Sequence, residues 1–449
     1  MDKKKKKLRN THYFSYFIRI FATNMEEMTV NQATRNYIQK HGEDDVRQLA
    51  LQGSKDPEVD MTFALEQIAG RQKAKTKIPS WAAIDGLIYP PHLSMEQCSS
   101  ERTARYKALL CSPTEDGEEQ NRLLVDLTGG FGVDIAFMAR NFERAVYVER
   151  QKRLCAISSE NYKRLELHHI EVVCGDGIDY LHRLNHADLI FLDPARRDEH
   201  GGRTYGIADC TPNVLEIIDE MLEKADRVML KLSPMLDWRK AVADISDKRE
   251  VISDKCCAQV SAVHIVSVDN ECKELLIEVI NDKCNVISAA TLLRVICVNL
   301  LSDGTEEHFD FEALSPLTVT STYHLSLITY HFLFEPNASI MKAGCFDLLA
   351  ERFEASQLDK NSHLFVSDKD IPDFPGRRFT IEHITSMNKR ELKEALSGID
   401  RANITVRNFP MSVAELRKKL KLKDGGEVYV FATTVAGQGH QLFICRKKS

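Results

Sequence analysis

Four acidic residues close four successive apolar runs in this chain. Asp126 follows Val125, Glu149 ends the next run, Asp176 comes just after Ile170-Glu171-Val172-Val173-Cys174, and Asp193 follows Ala187-Asp188-Leu189-Ile190-Phe191-Leu192. Each carboxylate has work it can do. Glu149 lies about twenty residues beyond a glycine turn and suits a bidentate hydrogen bond to a ribose diol. Asp176 is placed to accept from an adenine exocyclic amine, and Asp193 to orient or deprotonate a nucleophile. Asp126 stands just before Thr128-Gly129-Gly130-Phe131-Gly132, where glycine lets backbone approach a ligand and take positive φ. The chemistry implied is the holding of an adenosine-containing cofactor beside a reacting group.

The elements that must position these residues follow from the spacing. A buried strand, a glycine turn and a helix start run from Val125 to Asp134, and further strands recur at helical intervals. That pattern means β-α-β crossovers, a parallel sheet and ligands at the strands' C-terminal edge. A dinucleotide site would aim its helix N-terminus at a pyrophosphate. Here Asp126 and Asp134 flank that mouth, which repels a pyrophosphate and suits a ligand carrying an ammonium and a sulfonium. S-adenosylmethionine is such a ligand. The expected cofactor set is Asp126, Thr128, Gly129, Gly130, Gly132, Asp134, Glu149, Arg150, Asp176 and Gly177. Ser99, Ser100 and Thr103, just ahead of the first strand, are placed to cover the methionine end; a plain helix N-cap is the other reading of the serines.

The series resembles the class I S-adenosylmethionine-dependent methyltransferases. The first glycine of their D-x-G-x-G-x-G pattern is Thr128 here, a departure shared by many nucleic-acid methyltransferases of the class. Gln97-Cys98-Ser99-Ser100-Glu101, the Asp193-Pro194-Ala195-Arg196-Arg197 run and Glu335-Pro336-Asn337-Ala338-Ser339-Ile340 extend the likeness. Together they resemble the bacterial methyltransferases with a THUMP-like C-terminal domain, over residues 25 to 449. The resemblance implies an α/β fold: a seven-stranded Rossmann-like sheet, an N-terminal helical region, and C-terminal ferredoxin-like and THUMP-like α+β domains. The divisions expected are a basic tail at 1–24, helices at 25–110, the methyltransferase domain at 111–282, a ferredoxin-like domain at 283–370 and a THUMP-like domain at 371–449.

Asp193, Pro194 and Arg196 form the expected catalytic run. Amino-group methyltransferases carry an aromatic residue where this chain has Arg196, and the next strand end has Ser233 rather than the cysteine that covalent pyrimidine chemistry needs. Asp193 is left to orient or deprotonate the acceptor. Arg197 and Arg203 suit phosphates or base stacking, unless they pair internally with Asp198, Glu199 and Asp209. Lys231 either faces the same site or caps a helix.

Charge separates the ends of the chain. Residues 377–449 hold 15 Lys/Arg against 7 Asp/Glu, although the whole chain carries a net charge of −6. A basic end module on an acidic body suits an enzyme that grips a polyanion. Arg417, Lys418, Lys419 and Lys421 concentrate this charge; a solvated helix face is the alternative. THUMP domains elsewhere engage structured RNA, so the resemblance implies RNA, tRNA or rRNA, as the partner. The 12 cysteines show no C-x-x-C pair and no zinc spacing, which points to reduced thiols in a cytoplasmic protein without a metal. The apolar stretch after Lys3–Lys7 is short and interrupted by Arg19, so neither a signal peptide nor a membrane span is expected. Rival readings are a protein or small-molecule methyltransferase, a non-catalytic cofactor- or RNA-binding protein, and a nicotinamide oxidoreductase.

Overall fold

The computed structural model describes residues 30–112, 122–196, 206–250, 258–281, 293–313 and 330–448. The chain divides into two compact units. The first takes the described residues of Met1–Ser261 and Leu276–Ala289, the second those of Ala262–Leu275 and Ala290–Ser449.

The first unit opens with six helices: α1 (Gln32–His41), α2 (Val46–Gln52), α3 (Met61–Lys77), α4 (Pro79–Ala82), α5 (His92–Gln97) and α6 (Glu101–Leu110). Asn31, Asp45, Asp60 and Ser100 cap four of them, each accepting from a backbone N–H in the first turn. These helices share a core with the sheet, in which Trp81 meets Phe131 edge-on at 5.3 Å. Burying an aromatic side chain of this kind contributes about 1.5–3 kcal/mol. Asn161 clamps Ile88 through both its backbone groups at 2.8 Å. The basic segment of α3 is tied down locally, Arg71 to Asp85, Lys73 to Glu96 and Lys75 to Glu43.

The sheet follows as β1 (Leu123–Asp126), α7 (Val133–Met138), β2 (Arg144–Glu149), α8 (Lys152–Arg164), β3 (Ile170–Cys174), α9 (Gly177–Arg183) and β4 (Ala187–Leu192). A small ribbon, β5 (Ala195–Arg196) with β6 (Cys210–Thr211), precedes α10 (Val214–Lys224), β7 (Ala225–Leu232) and α11 (Trp238–Glu250). β4, β1, β2 and β3 pair in parallel, with β7 parallel on the far side of β4. The parallel pairing therefore brings the ends of β1 to β4, each with its acidic residue, and the Lys231 end of β7 to one edge. Next come β8 (Ala258–Val268) and β9 (Glu271–Asn281). Their turn residues Asp269 and Asn270 both have positive φ, as a two-residue type I′ hairpin demands.

The second unit contains the tip of that hairpin. β10 (Leu293–Leu300) runs parallel to residues 262–268, and β11 (Glu306–Ala313) antiparallel to β10. The order by hydrogen bonding is β11-β10-β8-β9-β7-β4-β1-β2-β3, nine strands rather than the expected seven. The two extra strands are β10 and β11, which extend the sheet past β8. The rest is a seven-stranded sheet, β13-β14-β12-β15-β18-β17-β16. It comprises β12 (Phe332–Pro336), α12 (Ala338–Ala343), α13 (Phe346–Arg352), β13 (Ser356–Gln357), β14 (Phe365–Ser367), β15 (Gly376–Thr385), α14 (Lys389–Ala395), β16 (Asn403–Arg407), α15 (Val413–Leu420), β17 (Val428–Val435) and β18 (Gly439–Lys447). Asn337 caps α12 as its sequence implied, accepting from Ile340 N–H, and also donates to Glu307 at 2.8 Å.

Among the described residues no helix is long and apolar enough to cross a membrane, and no group of three His, Cys, Asp or Glu is placed to hold a metal. None of the nine described cysteines is in a disulfide.

Candidate active site

The ends of β1, β2 and β4 are stitched together through backbone groups. Asp126 is buried and accepts from the Thr128 N–H at 2.9 Å. The Thr128 hydroxyl accepts in turn from the Asp193 N–H at 2.7 Å, so the residue in the first-glycine position links β1 to β4. Gly129 donates to the Val148 carbonyl at 2.8 Å, and a Cβ there would sit 2.2 Å from the Tyr147 ring. Glu149 accepts from Gly130 N–H at 3.0 Å on one oxygen and from Gln151 N–H at 2.8 Å on the other. Its carboxylate is thereby aimed before any ligand arrives. Gly132 caps α7 with φ 78°, where a Cβ would stand 2.0 Å from the Tyr162 hydroxyl. Arg150 is exposed. Asp176 caps α9 through the N–H groups of Ile178 and Asp179, and Gly177 packs against the Leu127 carbonyl.

Behind these ends lies a chain of alternating charges. Lys107 of α6, with no exposed side-chain surface, is 3.1 Å from one oxygen of Asp134. The other Asp134 oxygen accepts from Ser99 at 2.7 Å and lies 3.4 Å from Lys231. Lys231 then reaches Asp193 at 2.6 Å. Burial alone pushes the Asp134 carboxyl upward, but Lys107, Lys231 and the Ser99 hydroxyl outweigh it and hold the group below the usual carboxylate range. Asp126 fares differently. Burial drives it well above that range; the Thr128 N–H opposes this, while Asp134, Asp193 and Glu149 add to it.

The comparisons with known proteins agree with this geometry. A protein-L-isoaspartate (D-aspartate) O-methyltransferase model matches residues 107–196, a ferredoxin-like domain model 332–375, and a THUMP domain-like model 376–447. A crystal structure from Porphyromonas gingivalis W83, provisionally described as a methyltransferase, matches at TM-score 0.78 and 28% identity, covering 94% of this chain and 100% of the other. The fold is that of a class I methyltransferase core with ferredoxin-like and THUMP-like C-terminal domains. An rRNA methylase from Streptococcus thermophilus (13% identity, TM-score 0.27, 40% of this chain and 94% of the other) is also similar. So is a Streptococcus mutans protein crystallised with SAH (11% identity, TM-score 0.27, 36% and 90%). Both likenesses are too loose to bear on substrate. The search of curated proteins found no match.

On this methyltransferase sheet several expected residues take roles other than open ligand contacts. Asp134 is buried and ion-paired with two lysines, so it does not present a second free carboxylate at the helix mouth. Ser100 caps α6 through Thr103 N–H, and the Thr103 hydroxyl donates back to the Ser100 carbonyl. Ser99 alone of the three touches the charge chain. Lys231 sits between Asp134 and Asp193 rather than at a helix end. Pro194 is buried, and the Arg196 backbone pairs with Cys210. Arg197 and Arg203 lie outside the described residues. Sequence reasoning missed Lys107. Its signal was there: it is four residues past Thr103 and three past Ala104, on the buried face of α6, and a lysine on such a face needs an acidic partner.

In the THUMP-like region Ser412 and Glu415 form a capping box at the start of α15. Lys418, Lys419 and Lys421 are exposed, whereas Arg417 is paired with Asp424 and bonded to the Ala402 carbonyl. Three of the four expected basic contacts are thus free-standing on the surface and one is structural.

Proposed function

We propose that this protein is an S-adenosylmethionine-dependent methyltransferase acting on structured RNA, tRNA or rRNA, in the cytoplasm. The observation that carries the cofactor reading is the pair of carboxylates at adjacent strand ends. Glu149 is pre-aimed by two backbone N–H groups, and fits a ribose diol. Asp126 is buried, with its carboxyl pushed up by that burial, and fits the ammonium of the cofactor's methionine end. Asp176, Gly177 and Arg150 border the adenosine side of the same edge. When bound, the cofactor supplies a methyl group already activated on a sulfonium. The protein's own contribution is then largely positioning, with Asp193 at the reacting edge, its backbone fixed by Thr128.

RNA is supported by the THUMP-like match at 376–447 and by the exposed lysines of α15 and its C-terminal turn. The O-methyltransferase model covers the cofactor half of the sheet and supports methyl transfer more than any choice of acceptor. Nucleoside mass spectrometry of total RNA from deletion and parent cells tests this reading. We expect one methylated nucleoside to be missing from the deletion strain. Identical profiles, with the protein expressed in the parent, would count against RNA.

A further inference from the structure

The methyl acceptor can be narrowed from the charges around Asp193. Its side chain is 38% exposed, while the Lys231 ammonium, 2.6 Å away, is only 12% exposed. Lys231 is held from behind by Asp134, and Asp134 by fully buried Lys107. Two lysines and an aspartate out of water, with Asp193 partly so, are costly to assemble, and an apolar packing of similar volume is often more stable. What the arrangement does is fix one cation and one proton acceptor, side by side, where β4 and β7 end.

That pair treats acceptors unequally. An amine gains positive charge as it takes a methyl group, and an ammonium beside it opposes that change. A hydroxyl must lose its proton, and its oxygen gains negative charge on the way, which the same ammonium stabilises. Asp193 alone would suit either acceptor; Asp193 with Lys231 suits the hydroxyl. The residues after Asp193 point the same way, since Pro194, Ala195 and Arg196 offer no aromatic ring on which a flipped base could stack.

We propose that the acceptor is a ribose hydroxyl oxygen of RNA, with Asp193 as proton acceptor and Lys231 as the cation that steadies the developing oxyanion. This rests on the methyl-transfer reading of the same site. In balance, the acceptor's O–H bond breaks and its proton passes to Asp193 and then to solvent. A C–O bond forms, the S–C bond breaks, and its electron pair leaves with sulfur as a neutral thioether. Lys107 is a positioning residue, acting through Asp134.

The test incubates the full-length protein with RNA from deletion cells and isotopically labelled S-adenosylmethionine, then digests to nucleosides for mass spectrometry. The label should sit on the sugar of one nucleoside and, in a parallel alkaline hydrolysis of the same RNA, in an alkali-resistant dinucleotide. Label on a base would overturn the hydroxyl assignment while keeping the RNA reading. Label appearing only as a base-labile ester on added cell protein, or no label in RNA from a preparation that binds the cofactor, would overturn both. Lys231→Met supplies a separate readout. Its turnover should fall about 10²–10³-fold, the loss usual for one oxyanion donor, with cofactor affinity by calorimetry within about threefold of wild type. Lys231→Arg, which keeps the cation, should recover part of the turnover. A Lys231→Met protein that keeps full turnover, or loses turnover and cofactor affinity together, would refute the role.

Discussion

Replacing Lys107 with methionine should destabilise the first unit through one lost charge. Methionine keeps an apolar stem of similar length, so packing changes little, but Asp134 loses the ammonium 3.1 Å from one oxygen. Removing one member of a buried ion pair costs about 3–5 kcal/mol. Asp134 retains Ser99 at 2.7 Å and Lys231 at 3.4 Å, which places the loss near the lower end, about 3 kcal/mol. At 2–4 °C per kcal/mol for a domain of this size, the melting temperature should drop by roughly 6–12 °C. The assay is unusually direct. Both tryptophans of the chain, Trp81 and Trp238, are buried in the first unit, so intrinsic fluorescence follows that unit alone. Because the pair is shielded from solvent, the loss should persist at high salt. Adding Asp134→Asn should return much of the stability, as a coupled pair requires. A Lys107→Met protein melting within about 1 °C of wild type, where about 2–4 °C is expected per kcal/mol, would show that the buried pair contributes nothing and refute the charge-chain reasoning.

Two further outcomes follow from the same structure. The Asp126 carboxyl is raised in the folded protein by burial, with Asp134, Asp193 and Glu149 adding to it. Stability linked to its protonation is therefore present at low pH and lost as pH rises through the folded value; an ammonium-bearing ligand favours the ionised form. S-adenosylmethionine binding should release protons and tighten as pH rises, seen by calorimetry in buffers of different ionisation heat, and Asp126→Asn should abolish the release. No proton release in wild type would remove Asp126 from the ammonium site. In the THUMP-like region, reversing Lys418, Lys419 and Lys421 to glutamate should weaken RNA binding and reduce its salt slope by about two to three, leaving cofactor binding unchanged. An unaltered slope would mean these side chains are a solvated helix face.

The legible part of this protein was what local sequence dictates. The run from Val125 to Asp134 specifies a strand, a turn that only glycines fit and a helix start, and parallel crossovers bring Asp126, Glu149 and Asp193 to one edge. In the C-terminal region the apolar spacing of Val413, Leu416 and Leu420 marks α15 locally, and the helix ends at Lys421, which takes positive φ, ahead of the Asp424-Gly425-Gly426 turn. What stayed hidden was pairing across long separations. Asp134 read as an open carboxylate because Lys107 and Lys231 are distant in sequence on opposite sides of it. Thr128 read as a ligand contact, and its hydroxyl instead holds the Asp193 backbone. Asp176 has the helix-capping work any aspartate before a helix can do, and spacing alone cannot distinguish that from a base contact. β10 joins the sheet through β8, and β11 through β10, which is a fact of tertiary pairing rather than of local pattern.

Direct titration of the purified protein with S-adenosylmethionine tests the central claim. Wild type should bind saturably, and Glu149→Ala should bind at least about tenfold more weakly, because hydrogen bonds to a charged group contribute about 1.5–3 kcal/mol. NAD should not compete. Equal binding by the Glu149→Ala variant, or NAD binding as tightly as S-adenosylmethionine, would contradict the assignment of this edge to a sulfonium cofactor.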